Sequence, residues 1–310
     1  MRLLVFLALV GAACGKDVAT AVSPGSMSND TGPPDNRGPL LVKPKIIEKF
    51  NLQSRLIPCL TKPQQNGRIF GGTYTDIYTY PFMANPSWYW GGNFHPGAGG
   101  TLISPTAVVT LASNIGIDER PEDRRIRLGT ATLTGGTLFP VSQIIFHSGF
   151  DMIRREHNIL IFRLTNAAPL SDRIRPARIA GANYALPDNL RVYIAGWGIT
   201  TPGVGVPRSQ ELKHVDVRVV NHALCKQRYD ELRVQPGFQG VLPVYPGNLC
   251  TGLLDIGGQD FCTWDWGGPV VHQRDILIGV IGWNVICGHP FYPGVNTDVR
   301  SYVNWIVQNS

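Results

Sequence analysis

The sequence has little charge, and the charge it has is not concentrated. Charged residues make up 16% of the 310 positions, against roughly 25% in an average soluble domain. The net charge of +6 is spread thinly, so it gives no support for binding to nucleic acid or to a membrane surface. Only Arg124/Arg125 and Arg154/Arg155 stand out as basic pairs. We interpret them as solvated loops, with polyanion binding as the alternative.

Cysteine and histidine are also scarce, with six and seven residues. The histidines are scattered along the chain without the spacing of a metal site, so we expect no metal and no other cofactor. His157 precedes Asn158 in a run that is predicted to be a strand. Because neighbours in a strand face opposite ways, we expect these two side chains to point in opposite directions.

The N-terminus has the layout of a secretory signal peptide. Arg2 is followed by the apolar run "LLVFLALVGAA" and by small residues, which predicts a signal peptide over 1–15. The run is shorter than the roughly 20 residues of a membrane span, and no later segment reaches that length. Secretion would place the remaining cysteines in an oxidising extracellular compartment, where they pair. A lipoprotein interpretation of Cys14 is the alternative, and Gly11 fits it poorly.

The segment 16–68 is rich in Pro, Gly, Ser, Asn and Lys and shows no sustained apolar period. This composition predicts a flexible leader or pro-segment. Asn29 lies within it in the triplet "NDT", an acceptor site for N-linked glycosylation.

From "GRIFGG" onward the pattern changes to short apolar or alternating runs. "RIRLGT", "NILIFRL", "RVYIAGWG" and "KHVDVRVV" are rich in Val and Ile and are bounded by Gly or Pro, which is typical of an all-β barrel or sandwich. At the C-terminus, apolar residues recur at helical spacing behind a capping Asp298 or Thr297, which predicts an amphipathic helix as the last element. Its apolar residues are Val299, Tyr302, Val303 and Ile306.

Several motifs resemble those of the chymotrypsin/trypsin-like serine proteases (peptidase S1), and we assign 69–310 to such a domain. "RIFGG" is similar to the zymogen activation site, "GGTLISPTAVVTLAS" and "HNILIFRL" to the segments of the catalytic histidine and aspartate, and "WDWGGP" to the loop of the catalytic serine. "IAGWG", "GWN" and "PGV" also stand in family order. The resemblance implies an all-β fold of two packed antiparallel six-stranded β-barrels with a C-terminal α-helix and a cleft between the barrels.

At the three catalytic positions the resemblance points to residues of other types. Ser113 stands where the family has its histidine, Asn158 where it has aspartate, and Trp266 where it has the nucleophilic serine. A hydroxyl is no general base near neutral pH, an amide cannot stabilise an imidazolium, and an indole offers no nucleophile. Since loss of the triad costs on the order of 10⁶ in turnover, we expect an inactive homologue that is not an enzyme.

Two tryptophans flank the aspartate of this loop. Trp264 stands where the family has the glycine of the oxyanion hole. A bulky residue adopts that backbone conformation only with strain, so we expect its amide no longer to point into the hole. We favour a packing role for Trp266, because Ser113 is smaller than histidine and leaves volume beside it. For Trp264, packing and a role as an apolar contact surface both stay open.

The activation device of the family is matched by three residues. Arg68 and Ile69 form the expected cleavage site, and Asp265 would receive the freed amino group. We expect cleavage after Arg68 to change the shape of the protein without creating activity. Survival of the motif as a folding feature is the alternative.

The specificity pocket of the family is matched in part. Asp260 stands at the base of the pocket that gives trypsin-like members their preference for Arg or Lys, and Gly294 is retained. Phe261 replaces a small residue, and Asn284 replaces the glycine at the mouth. We interpret Asp260 as a solvated relic carboxylate, with binding of a basic side chain as the alternative.

The resemblance also implies the disulfides Cys225–Cys250 and Cys262–Cys287, each contributing about 2–4 kcal/mol. A third family bridge is absent, because its positions hold Ala98 and Asn114. Cys59 is left unpaired, which suggests an interchain disulfide or pairing with another protein. A capped or buried thiol is the alternative.

We therefore expect a secreted, catalytically inactive serine protease homologue that binds other secreted proteins, such as an active serine protease or its substrate. It would act as a cofactor, decoy or regulator in an extracellular proteolytic cascade, immune or reproductive. An active trypsin-like serine endopeptidase and a polyanion- or matrix-binding module are the alternatives.

Overall fold

The computed structural model of the chain describes residues 69–201 and 205–310. The predictions for the signal peptide, the leader, Asn29, Cys59 and Arg68 lie outside these residues. Within the described ranges, no helix is both long and apolar enough to cross a membrane.

The first half of the described chain forms a closed antiparallel barrel. After the short β1 (Thr73–Tyr74), its strands are β2 (Met83–Trp90), β3 (Asn93–His95), β4 (Gly100–Ser104), β5 (Ala107–Thr110), β6 (Arg124–Leu128), β7 (Thr137–Phe146) and β8 (Leu160–Leu164). The ring runs β2–β4–β5–β8–β7–β6 and closes because β6 pairs back with β2. β3 only extends β2 as a hairpin.

The second half repeats this architecture. Its strands are β9 (Arg178–Ile179), β10 (Arg191–Gly196), β11 (Lys213–Val220), β12 (Asn248–Gly252), β13 (Pro269–His272), β14 (Ile276–Trp283) and β15 (Gly294–Asp298). The ring runs β11–β10–β13–β14–β15–β12 and closes through pairing of β12 with β11. β1 pairs with β11 and β9 pairs with β14 outside this ring. The predicted all-β fold of two six-stranded antiparallel barrels is confirmed.

The second half of the described chain also contains two α-helices. α1 (His222–Arg233) begins behind Asn221, whose side chain accepts a hydrogen bond from Leu224 N–H at 3.0 Å, as a good N-cap does. The chain ends in a 3-10 turn, Val299–Tyr302, followed by α2 (Val303–Asn309). Asp298 caps this last element, because its carboxylate accepts from Arg300 N–H at 3.0 Å. The predicted C-terminal helix is confirmed, and its first turn is the tighter 3-10 form.

Two disulfides stabilise the second half, Cys225–Cys250 and Cys262–Cys287. The first joins α1 to β12. The second joins the loop that carries Trp264 and Trp266 to the segment after β14.

The interpretation of Arg124/Arg125 as a solvated loop is wrong. Both residues lie in β6, and the Arg124 side chain is only 9% exposed. It donates from Nε and Nη2 to the two carboxylate oxygens of Glu119 at 2.6 and 2.7 Å. A guanidinium held by a carboxylate in this two-pronged way can be buried in a sheet.

Candidate functional site

Ser113 and Asn158 meet at the edge of the first barrel. Ser113 lies in the 3-10 turn Ala112–Asn114 after β5, and Asn158 lies just before β8, the neighbour of β5 in the sheet. Asn158 Oδ1 accepts from Ser113 N–H at 2.8 Å, and Asn158 Nδ2 donates to Ser113 Oγ at 2.9 Å. Thr297 of β15 donates from Oγ1 to the Asn158 carbonyl at 2.8 Å. The pair is therefore closed on itself and tied to the second barrel.

This pair contains no group that can take up a proton. The Asn158 side chain accepts from the Ser113 N–H through its amide oxygen and donates to the Ser113 hydroxyl through its amide nitrogen. In the described part of the chain, no histidine hydrogen-bonds to either side chain. A serine hydroxyl without an adjacent base is a weak nucleophile.

His157 belongs to a separate aromatic cluster. Its ring stacks on His147 with centroids 4.9 Å apart, and its Nδ1 lies 3.3 Å from the Tyr302 hydroxyl oxygen. Burial, together with the neighbouring His157, lowers the pKa of His147. The prediction that the His157 and Asn158 side chains point in opposite directions assumed that both lie in a strand. His157 instead precedes β8 and has a φ of 50°, so the alternation of a strand does not apply to it.

Trp264 is held in a strained conformation beneath an arginine. Its φ is 78°, in the left-handed region that a bulky L-residue adopts only at a cost. The Arg208 guanidinium lies over the indole, 4.9 Å from the ring centroid. Arg208 also donates to the carbonyl oxygens of Gly97, at 2.8 Å, and Pro96. Burial lowers the pKa of Arg208 to about 10.

Arg208 is a site residue that sequence reasoning missed. It lies in the Gly- and Pro-rich stretch "TPGVGVPRSQ", where no motif marks this arginine as part of a site. Its role comes from contacts with segments more than a hundred positions away along the chain, such as Gly97.

Trp266 lies between the two barrels. Its half-buried ring packs against the apolar clusters of both halves. Its carbonyl oxygen accepts from Gly99 N–H at 2.8 Å and from Asn114 Nδ2 at 3.3 Å. Asn114, at a position where the family has a disulfide, thus links the Ser113 turn to the Trp266 loop by a hydrogen bond.

Asp265 lies buried beneath the same loop, with 1% of its surface exposed. Its oxygens accept from Gly198 N–H at 2.7 Å and from Cys262 N–H at 3.0 Å. Burial raises the pKa of Asp265 to about 7, although these two N–H groups and Arg208 act to lower it. Position 198 has to be glycine, because a Cβ there would lie 2.3 Å from Asp265 Oδ2.

The segment that follows the expected cleavage site packs into the second barrel. Ile69 is fully buried and belongs to the same apolar cluster as Phe261. The carbonyl oxygen of Phe70 accepts from Asp260 N–H at 3.1 Å. This segment therefore contacts Asp260 directly.

The pocket that the resemblance predicts at Asp260 is filled by side chains of the protein itself. Asp260 is 1% exposed, so its interpretation as a solvated carboxylate is wrong. Asn284 Nδ2 donates to Asp260 Oδ2 at 3.1 Å, and Gly288 N–H donates to the same oxygen at 3.2 Å. The fully buried Phe261 ring lies so close to Gly294 that a Cβ there would be 2.3 Å from its Cε1. Burial raises the pKa of Asp260 to about 7.

The closed Ser113–Asn158 pair leads to a testable stability effect. We expect Asn158→Ala to lower the free energy of unfolding by about 1–3 kcal/mol, because it leaves the part-buried Ser113 N–H without its acceptor. Ser113→Ala should cost about 1 kcal/mol, and the double variant less than the sum of the two. Urea unfolding measures all three, with the exposed Asn304→Ala as a control that should change little. Strictly additive losses would contradict the pairing.

Comparison with known proteins agrees with this architecture. The sequence model of the family described as Trypsin matches residues 69–306. "Trypsin, alkaline A" of Manduca sexta is 35% identical over 250 residues, which cover 80% of this chain and 93% of that protein. The vitellin-degrading protease of Bombyx mori is 31% identical over 250 residues, covering 80% and 88%.

A solved structure supports the same assignment. Neuropsin, a serine protease expressed in the limbic system of mouse brain, superposes with a TM-score of 0.63 at 26% identity, covering 77% of this chain and 98% of its own. Two packed antiparallel barrels are the architecture of the trypsin-like class of serine proteases, and in this chain the Trp266 loop lies between them. The chain belongs to the trypsin family.

These relatives correct the expectation that the chain is not an enzyme. Relatives at 31–35% identity are named as trypsins and as a protease, and such kinship points to an enzyme, so that expectation is wrong. The expectation was weak because the residue types at Ser113, Asn158 and Trp266 test only the mechanism that uses a catalytic triad. None of these three positions carries an imidazole, so hydrolysis by this chain would depend on other groups. Within 69–201 and 205–310, no cluster of His, Cys, Asp and Glu could hold a metal ion.

Proposed function

We propose that this member of the trypsin family acts by binding other secreted proteins, as a cofactor, decoy or regulator in an extracellular proteolytic cascade, immune or reproductive. The observation that carries the proposal is the stack of the half-buried Arg208 on the half-buried Trp264, with the guanidinium 4.9 Å from the indole centroid. The filled pocket adds support, since Phe261 and Asn284 occupy the space above Asp260 that a substrate side chain would need.

The proposed contact surface is the Trp264–Arg208 stack together with Trp266. Both indoles are half-buried, so each offers part of its ring to a partner. Tryptophan and arginine are enriched among the residues that dominate binding energy at protein interfaces. The guanidinium is fixed by two carbonyl oxygens, and a pre-ordered side chain loses less entropy on binding.

Cleavage after Arg68 is the proposed trigger. It would free an ammonium group on Ile69, and the buried Asp265 carboxyl is a partner of the kind that a buried charge requires. N-terminal sequencing of the secreted protein tests this step. We expect a chain that begins at Ile69, and material that always begins near residue 16 would contradict it.

Secretion completes the proposal, with a signal peptide over 1–15, a glycan on Asn29 and an interchain disulfide through Cys59. The two disulfides of the second barrel support it, because such bonds persist in oxidising compartments outside the cytosol.

A trypsin-like serine endopeptidase is the second candidate, considered because relatives of the chain are named as a trypsin and as a protease. Asp260 at the base of the pocket is consistent with a preference for Arg or Lys. A fluorophosphonate probe and a peptide substrate with arginine before the scissile bond, applied to the Arg68-cleaved chain, test this candidate. Serine labelling and hydrolysis that both disappear in one single-site variant, such as Ser113→Ala, would establish it.

Affinity capture from the native fluid tests the binding proposal. We expect the cleaved wild-type chain to retain a secreted protease or protease substrate, identified by mass spectrometry. Trp264→Ala combined with Arg208→Ala should weaken its binding at least tenfold, the effect of losing about 1.4 kcal/mol. Trp90→Ala, which removes an exposed indole from β2, serves as the control. Equal retention by wild type and the double variant would exclude this surface.

A further inference from the structure

A basic cavity lies on the second barrel, lined by Arg191, His214 and Arg274. It opens between the backbone of 71–73, the β10–β11 pair and the turn that joins β13 to β14. Its volume of about 100 Å³ has room for several water molecules, and hence for a group of the size of sulfate or phosphate. The side chains that matter for its chemistry are Arg191, Tyr193, His214, Asp216 and Arg274.

The cavity carries more positive than negative charge. The guanidinium groups of Arg191 and Arg274 both stack on the Tyr193 ring, with Cζ 5.4 and 4.9 Å from its centroid. Asp216 is the one carboxylate that lines the cavity, and its Oδ2 lies 2.8 Å from Arg191 Nε. Arg274 forms no ion pair with any residue that the structure describes. The cavity is therefore lined by two guanidinium groups stacked on Tyr193 and by one carboxylate, that of Asp216.

His214 adds a donor. Its Nδ1 lies 2.7 Å from the Tyr80 hydroxyl oxygen. Burial raises the pKa of Tyr80, so this hydroxyl keeps its proton. Burial, with the charge of Arg274, lowers the pKa of His214. A neutral His214 ring that accepts a hydrogen bond from the Tyr80 hydroxyl at Nδ1 carries its own hydrogen on Nε2.

The turn that presents Arg274 is built at a cost. Gln273 and Arg274 have φ values of 53° and 69°, in the left-handed region that is unfavourable for residues other than glycine. The next residue, Asp275, is fixed by Arg178, whose Nε and Nη2 donate to its two oxygens at 2.7 and 2.9 Å. Positive φ at both central residues is the signature of a type I′ turn, a common connection in β-hairpins, and it places Arg274 at the end of the β13–β14 hairpin.

We propose that this cavity binds an oxyanion of the sulfate or phosphate type, through the guanidinium groups of Arg274 and Arg191 and the Nε2–H of His214. Guanidinium groups bind such tetrahedral oxyanions through paired, charge-assisted hydrogen bonds. Anion binding here does not depend on the Trp264–Arg208 surface. The site adjoins 71–73, so in a chain cleaved after Arg68, the step that rests on the proposed function, the bound anion would contact the new N-terminal segment.

Calorimetric titration of the full chain with sodium sulfate, at constant ionic strength maintained with sodium chloride, tests the proposal. We expect saturable binding at one site, and Arg274→Gln should weaken it about tenfold, the effect of losing one charge-assisted contact. The matched control is Arg173→Gln, which removes another arginine stacked on a tyrosine, Tyr78, and should bind as wild type does. Thermal unfolding without sulfate checks that both variants fold as wild type does.

Two ligands distinguish the sources of the anion. A sulfated disaccharide that binds more tightly than inorganic sulfate, with the same dependence on Arg274, would indicate a sulfated polysaccharide. Equal affinity would indicate a free oxyanion. Binding that is unchanged in Arg274→Gln, or absent from the wild-type chain, would overturn the proposal.

Discussion

Replacing Phe261 by alanine is expected to lower the free energy of unfolding by about 3–5 kcal/mol, the usual cost of removing a fully buried phenyl ring from a core. The ring has no exposed surface and belongs to the apolar core of the second barrel. Urea unfolding of the variant and the wild type, compared at one pH, measures the loss.

The cavity left by this substitution should have a chemical preference. It would lie beside Asp260, whose carboxyl is reached at present only by groups of the protein, among them the Asn284 amide and Gly288 N–H. Benzamidine is a flat aromatic cation whose ring is the size of the lost phenyl group and whose amidinium group can pair with a carboxylate. We expect benzamidine to stabilise Phe261→Ala increasingly as its concentration rises, by about 2.7 kcal/mol at a hundred times its Kd.

Phe162→Ala is the matched control for this experiment. Phe162 is equally buried, but it belongs to the core of the first barrel. Its removal should cost a similar amount, and benzamidine should not recover the loss. If benzamidine stabilised the wild-type chain to the same extent as Phe261→Ala, the pocket would already be open, and the assignment of Phe261 as its filling would fail.

The barrels could be predicted from the sequence because their signal is local. In β11, Val215, Val217 and Val219 alternate with more exposed residues and face the core, as the two-residue period of a strand requires. The sequence of α1 carries an equally local signal. Its buried Cys225, Tyr229 and Leu232 recur at helical spacing behind a capping Asn221.

The environment of the site residues could not be predicted in the same way. Whether Asp260 is solvated depends on Asn284, which lies 24 positions later in the chain, and on the direction of the Phe261 ring. Arg208 acquires its role from Gly97 and Trp264, which belong to other segments. Residue types at single positions are visible in a sequence, whereas burial is a property of the assembled fold.

The second large effect concerns the dependence of stability on pH. Burial raises the pKa of both Asp260 and Asp265 to about 7 in the folded chain, whereas an aspartate in the unfolded chain titrates near 3.9. Between these values the folded protein binds more protons than the unfolded one, so the free energy of unfolding falls as the pH rises. The stabilisation is complete below about pH 4 and is lost by about pH 7, on the order of 4 kcal/mol for each carboxyl.

Histidines act in the opposite direction over part of this range. Burial lowers the pKa of His147, His214 and His289, so their contribution rises with pH as the unfolded chain gives up its extra protons. The informative quantity is therefore the difference between the wild type and Asp260→Asn, which removes one of the two carboxyls and leaves the histidines in place.

We expect Asp260→Asn to be close to the wild type in stability at pH 4 and to exceed it increasingly up to pH 7, because the variant has no buried carboxyl to ionise. Urea unfolding at pH steps between 4 and 8 measures this divergence. Asp172→Asn, at a carboxyl whose side chain is 82% exposed, should run parallel to the wild type throughout. Parallel curves for Asp260→Asn as well would mean that Asp260 ionises as easily in the folded chain as in the unfolded one, which its enclosure by Phe261, Asn284 and Gly288 does not allow.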